Sequence, residues 1–367
     1  MTVIIFIIVL AVLIFVHELG HFLTARAFGI RVDAFALGFG PKIISWGKGE
    51  TTYSINAIPF GGYVKIFGEN PDEDSTTGPD ANRSFVNVAK YKQIVVLAAG
   101  VLMNFIFAWF LYAGVFSTGV TAAKDGFEQY ASYLSHSRIM ITDISSGSPS
   151  EKAGLKSGDV IKSISTTSIS PVATQTIADI QTAIASSSGK TISISYVRAG
   201  VDAVATMTPV TGIVPNKYAI GIAMNDVADL RLPIHLALIE SFTYTCGMIR
   251  DTAVGLYTFL YTLVRGTANF ADVSGPIGIA GIVGDAAHVG FTNLIMVTAL
   301  ISINLGVINL IPFPALDGGR IFFVALEAIF RRRISPKVAN AANAVGFALL
   351  MLLMVAVTYK DIVKLFK

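Results

Sequence analysis

Four stretches of this chain are long and apolar enough to cross a bilayer, and they constrain its fold more than any other feature. A spanning helix needs about 20 apolar residues, because the hydrocarbon core is roughly 30 Å thick. The first stretch opens with the unbroken run Val3–Val16 and continues past a polar cluster to about Phe28. The second carries no charge from Gln93 to Ala123. The third, Ala286–Leu316, has no acid or base other than His288, and the fourth is Val338–Tyr359. Charged residues make up 14% of the chain, against about 25% in a soluble domain. That excludes an ordinary cytosolic enzyme. The net charge of +3 is too small to argue for nucleic acid. A single cysteine, Cys246, excludes an intrachain disulfide and a Cys-rich zinc site. The first stretch does not read as a cleaved signal peptide, since it lacks a basic leading segment and its removal would take the polar cluster with it.

Basic residues set the expected orientation. Arg31, Lys42, Lys48, Lys65, Arg83, Lys90 and Lys92 follow the first stretch, and Arg320, Arg331, Arg332, Arg333 and Lys337 stand in a short loop between the third and fourth. Both segments then face the cytoplasm, and the insert between the second and third stretches faces outside. The insert, 124–230, is richer in Ser, Thr and Asp. It shows alternating runs at Ile139–Ile144, Val160–Ile164, Thr191–Val197 and Val201–Met207, with one helix expected over Ile177–Ser186. Asn70–Asn82 reads as a polar loop. Leu236–Val264 is apolar but interrupted by Glu240, Arg250 and Asp251, and reads as helices on the outer interface. The expected fold is a polytopic α-helical membrane protein with four transmembrane helices, a membrane-associated β-hairpin over about 51–67 and an inserted extracytoplasmic β-rich domain. Its parts are 1–123, 124–230, 231–285 (interfacial amphipathic helices) and 286–367.

The polar cluster in the first stretch is His17-Glu18-Leu19-Gly20-His21, an H-E-x-x-H pattern. Histidines at i and i+4 share one helix face, so both imidazoles can reach one metal ion, and the glutamate between them can take a proton from water there. Three ionisable groups within five residues of a membrane span are costly and default to a functional reading. A hydrolytic zinc ion usually has three protein ligands, so a third must come from elsewhere. His136, His235 and His288 read as surface or structural residues. The best acid is Asp317, in Asn309-Leu-Ile-Pro312-Phe-Pro314-Ala-Leu-Asp317-Gly318-Gly319, where two prolines break the third helix. Both His21 and Asp317 fall toward the cytoplasmic ends of inward-running helices. Coordination of one ion is therefore geometrically open, although spacing alone equally allows Asp317 to be a helix-terminal acid at the interface.

On these motifs the sequence resembles the site-2 protease family of intramembrane zinc metalloproteases, and within it the regulator of sigma-E protease (RseP) type. The resemblance also rests on Ile58-Pro59-Phe60-Gly61-Gly62-Tyr63-Val64-Lys65, on Ala98-Ala99-Gly100-Val101-Leu102-Met103-Asn104-Phe105 and on Ser274-Gly275-Pro276-Ile277-Gly278. It implies Zn2+ held by His17, His21 and Asp317, with Glu18 catalytic, in a bacterial cytoplasmic membrane. It further implies that the outer β-rich domain is a PDZ domain. The insert has room for one such domain, whereas enterobacterial relatives carry two. Arg320 follows the double glycine where those relatives would have histidine.

The chemistry expected is peptide hydrolysis within single-span transmembrane substrates, such as anti-sigma-factor-like proteins or remnant signal peptides. Histidines must be neutral to bind a metal, so activity should fall in acid. The Asn309 amide could hold substrate backbone or a developing oxyanion, or merely satisfy carbonyls freed near Pro312. Thr51–Ile58 and Tyr63–Phe67 alternate about a Pro-Phe-Gly-Gly turn, and the edge of that hairpin could pair with an unwound substrate. Candidate substrate-binding residues are thus Asn309, Pro312, Pro314, Ile58, Gly61 and Gly62. Other partners expected are the lipid bilayer and a peptide ligand of the PDZ domain, with no nucleic acid. The competing readings are a transporter or channel using buried ionisable groups, and an inactive PDZ scaffold.

Overall fold

The computed structural model describes residues 1–70, 73–166, 169–173, 176–198, 200–214, 217–267 and 274–365; residues 71 and 72 of the expected polar loop lie outside them. Four helices are long and apolar enough to span a membrane: α1 (Thr2–Ala27), α3 (Lys90–Thr118), α8 (Phe291–Asn309) and α10 (Pro336–Leu365). They share one contact unit, Met1–Val115 with Ile234–Lys367, and a second unit covers Phe116–Pro233. The first unit also holds the strands β1 (Val32–Lys48) and β2 (Thr51–Ile66), the short helix α2 (Glu73–Thr77), α6 (Ile234–Val264), α7 (Pro276–Val289) and α9 (Asp317–Phe330).

Close packing of α1 on α3 depends on small residues. A Cβ on Gly20 would lie 2.3 Å from the Ala99 carbonyl oxygen, and one on Gly306 of α8 would lie 2.5 Å from the Phe105 ring of α3. Glycine at such positions lets backbones approach where lipid supplies no hydrophobic drive between helices. The Ser302 hydroxyl of α8 donates to the Asn104 carbonyl of α3 at 2.8 Å. Below this contact Phe22, Ala25, Phe35, Val64, Val96, Leu97 and Val324 form a buried cluster that joins α1, α3, α9 and the sheet.

The sheet corrects the hairpin expected over 51–67. The tight turn lies at Gly49 and Glu50, where Gly49 takes φ +72°, as a two-residue hairpin turn requires. Residues 42–48 pair with 51–56, residues 34–37 run in step with 52–55, and 62–66 return antiparallel on the far side of 34–37. The chain does reverse at residues 59–62, but its two arms do not pair with each other, because Ala34–Leu37 lies between them. Segment 62–66 is therefore an edge. Two further expectations change. The loop between the third and fourth spans contains the 14-residue helix α9. The third span begins at Phe291 rather than Ala286, because the backbone breaks at Gly290 (φ 153°) between α7 and α8. Residues 234–264 form one continuous helix, α6, with Tyr244 and Met248 packed on Tyr112, Ala299 and Ile303 of α3 and α8.

The second unit is an antiparallel sheet. Its strands are β3 (Val120–Ala123), β4 (Leu134–Ile144), β5 (Val160–Thr166), β6 (Ile169–Ala173), β7 (Ile192–Arg198), β8 (Val201–Met207) and β11 (Ile222–Leu230). They run in the order β3-β11-β4-β5-β7-β8, with β6 on β5. A separate pair, β9 (Val210–Val214) and β10 (Lys217–Ala219), precedes β11. Helix α4 (Pro149–Lys152) starts at the Ser148 cap, and α5 (Ile177–Ser186) at a capping box of Thr176 and Asp179. Alternation places Ile192, Ile194 and Tyr196 of β7 inward, on Ile139, Ile141, Ile161, Ile180 and Ile184.

Candidate metal centre

The apolar run of α1 carries His17 and His21 one turn apart, both facing α3. His17 is 9% and His21 is 7% exposed. The broken segment after α8 returns Asp317 to them. His17 Nε2 lies 3.1 Å and His21 Nε2 3.4 Å from Asp317 Oδ2, and the two imidazole nitrogens are 3.2 Å apart. Tetrahedral bonds of about 2.0–2.1 Å to zinc give ligand-to-ligand edges of roughly 3.3–3.4 Å, close to this triangle. Among the described residues these three form the one cluster of potential metal ligands.

Hydrogen bonding favours the same use. His21 Nδ1–H donates to the Val96 carbonyl at 2.9 Å, which leaves a lone pair on Nε2. His17 Nδ1 lies 3.2 Å from the Asn104 amide nitrogen, while Asn104 Oδ1 is buried without a partner. A half-turn of that amide lets Nδ1–H donate to Oδ1 and frees the His17 Nε2 lone pair as well. Asp317 Oδ2 is itself buried with no hydrogen-bond partner. Gly100 completes the cradle, since a Cβ there would lie 2.3 Å from His21 Nε2. Three lone-pair atoms aimed at one point, and a glycine that keeps it clear, fit a cation.

The approach of Asp317 depends on what precedes it. Helix α8 ends at Asn309, Ala315 turns through φ +76°, and Asp317 opens α9. Cβ atoms on Gly318 and Gly319 would meet the Ile311 and Phe313 carbonyl oxygens at 2.3 and 2.2 Å, so the double glycine seats α9 against the broken segment. The Arg320 guanidinium that follows pairs with Glu69. Gly62 of the sheet edge lies against α1, where its Cβ would be 3.0 Å from Ile14 and 3.5 Å from Glu18 Cγ. Of the other candidates, Ile58 is 49% exposed, and a Cβ on Gly61 would meet the Phe39 ring at 2.1 Å. Pro312 is exposed, Pro314 is half-buried, and Asn309 makes no side-chain hydrogen bond to a described residue.

Asn104 and Gly100 escaped the sequence reading as site residues. An asparagine in an otherwise charge-free span was the available signal, and its i−4 neighbour is the glycine.

The model of peptidase family M50 matches residues 5–353. A Clostridium acetobutylicum protein provisionally named a zinc metalloprotease is 34% identical over 98% of this chain and 97% of its own. Zinc metalloprotease RasP of Oceanobacillus iheyensis is 30% identical over 100% of this chain and 99% of its own, and RasP of Shouchella clausii matches to the same extent. With a two-histidine, one-aspartate cluster in a chain whose described residues include four helices long and apolar enough to cross a membrane, the protein belongs to peptidase family M50, the site-2 proteases, and is a membrane zinc metalloprotease.

Proposed function

We propose that the protein is an intramembrane endopeptidase that cuts single-span membrane proteins, anti-sigma-factor-like chains or remnant signal peptides, in a bacterial cytoplasmic membrane. The observation that carries this reading is the convergence of His17 and His21, in a helix suited to a bilayer, with Asp317 on one point beside Glu18. In it, the three residues hold zinc, which when bound acidifies water and polarises the scissile carbonyl. Glu18 takes the proton from the attacking water and returns it to the leaving amine. The Asn309 amide steadies the substrate carbonyl, and Pro312 and Pro314 hold that amide's segment open. A helical substrate hides its peptide bonds. The 62–66 edge, with Gly62 against the Glu18 helix, offers backbone groups to which an unwound substrate adds as a strand. Ile58 and Gly61 border that edge.

The second unit reads as one PDZ domain facing outside. Strand β11 pairs with β4 along residues 222–230 but with β3 only along 227–230. The remaining edge faces a cavity of about 650 Å³ lined by Ala178, Thr182 and Ala185 of α5 and by Ile222 and Met224. An extended, apolar chain end fits such a groove.

The test is cleavage of a single-span substrate by the purified full-length protein. Glu18→Gln and zinc chelation should each abolish product, with Glu18→Gln retaining zinc. Equal cleavage by wild type, variant and chelated protein would refute the reading.

A further inference from the structure

The third ligand arrives on a segment that its own helices do not fix. Residues 310–316 lie between α8 and α9, and Ala315 is held at φ +76°, a conformation that an alanine keeps only where its surroundings impose it. The surroundings come from α10. The Ala315 N–H donates to Asn343 Oδ1 at 3.2 Å. One turn further along α10, Gly346 presses on the preceding residue: a Cβ there would lie 2.4 Å from the Pro314 carbonyl oxygen and 2.8 Å from its carbon. Asn343 and Gly346 stand at i and i+3, hence on one helix face, and they grip two consecutive residues just before Asp317. Helix α10 is otherwise the least enclosed candidate span, with 11% of its apolar window buried. A close glycine contact and an amide on such a helix mark a specific seat rather than general packing.

We propose that Asn343 and Gly346 are positioning residues of the metal centre: α10 clamps Pro314 and Ala315, and the clamp sets where the Asp317 carboxylate meets His17 and His21. The proposal rests on Asp317 being the third ligand. Asn343 contributes an acceptor to a backbone N–H that the left-handed turn removes from helix α9, and Gly346 contributes the absence of a side chain. Neither touches the ion or the substrate.

The experiment measures zinc affinity of the purified full-length protein by chelator competition, with the visible spectrum of the cobalt-loaded protein as a geometric readout. Asn343→Leu and Gly346→Ala should each weaken zinc binding by about 10- to 100-fold, the range of other supporting contacts, and should change the cobalt spectrum. Asn343→Asp, which keeps an oxygen at the same reach, should match or exceed wild-type affinity. Asn340→Leu, one turn away on α10, should bind as wild type does. Thermal unfolding of the metal-free Asn343→Leu protein should coincide with that of wild type, whereas Gly346→Ala displaces the Pro314 carbonyl and is judged on the cobalt spectrum. Wild-type affinity and spectra in Asn343→Leu and Gly346→Ala, beside lost binding in Asp317→Ala, would overturn the clamp and leave the ligand standing. Undiminished binding in Asp317→Ala would overturn both. Lowered metal-free stability with unchanged affinity would reduce Asn343 to a structural residue.

Discussion

Two aspartates with enclosed carboxylate oxygens show how this molecule separates structure from chemistry. Asp159, in the second unit, has donors on both oxygens: Arg198 Nε and Nη2 donate to its two oxygens at 2.7 Å each, and the Lys156 N–H donates at 2.8 Å. Asp317, in the first unit, offers Oδ2 to two imidazoles and has no hydrogen-bond partner for it. A buried carboxylate with both oxygens engaged by donors stabilises a fold. One left with an open lone pair beside two others is placed to hold a cation.

The largest expected effect comes from erasing the open carboxylate. Asp317→Ala should abolish hydrolysis and cut zinc affinity by at least about 100-fold, with no loss of metal-free stability, because an orphaned buried charge goes with it. Zinc content after dialysis and thermal unfolding check both halves. Gly100→Ala is next. Its methyl would sit 2.3 Å from His21 Nε2, so zinc content should fall sharply while the span still forms, as ellipticity and zinc analysis would record. Asp159→Ala should do the reverse. Zinc stays bound, and the second unit loses about 2 kcal/mol, the scale of hydrogen bonds to a charged group, since the Arg198 left behind is 38% exposed and keeps its hydration. Amide exchange in β5 and β7 reads that loss.

The smallest effect is one of pH. Hydrogen bonding to Arg138 holds the Asp229 carboxyl below its ordinary range, with Thr121 adding to the shift. A depressed folded value contributes stability that is present above the unfolded value and fades as pH falls through the folded one. Protection factors at β3 and β11, taken relative to the intrinsic exchange rate at each pH, should therefore fall below about pH 4, and Arg138→Ala should flatten that dependence.

Much of the site was legible because α-helical spacing is local. His17 and His21 declare a shared face by sequence distance alone, and the Pro312–Pro314 break announced a non-helical segment ahead of Asp317. Residues brought together across the chain were not legible. Nothing in spacing says that Asn104 faces His17, or that Gly346 backs Pro314. In the second unit, the helix Ile177–Ser186 was legible between the alternating runs, and four strands from alternation. The sheet of 32–66 misled because Pro59–Gly62 does reverse the chain, yet strand partners are chosen by tertiary packing. Helix α9 was hidden by the basic residues around it, which report the side of the membrane and not the conformation.

The three candidate ligands also impose an order in time. His17 and His21 leave the ribosome early, and Asp317 follows nearly 300 residues later. At synthesis rates of roughly 5–20 residues per second, the delay is about 15–60 seconds. Throughout that interval a nascent chain possesses the histidine pair without its carboxylate. With Asp317 as the third ligand, a translation product truncated before the third span would lack a complete metal site, so the proposed activity would arise only when synthesis is nearly finished.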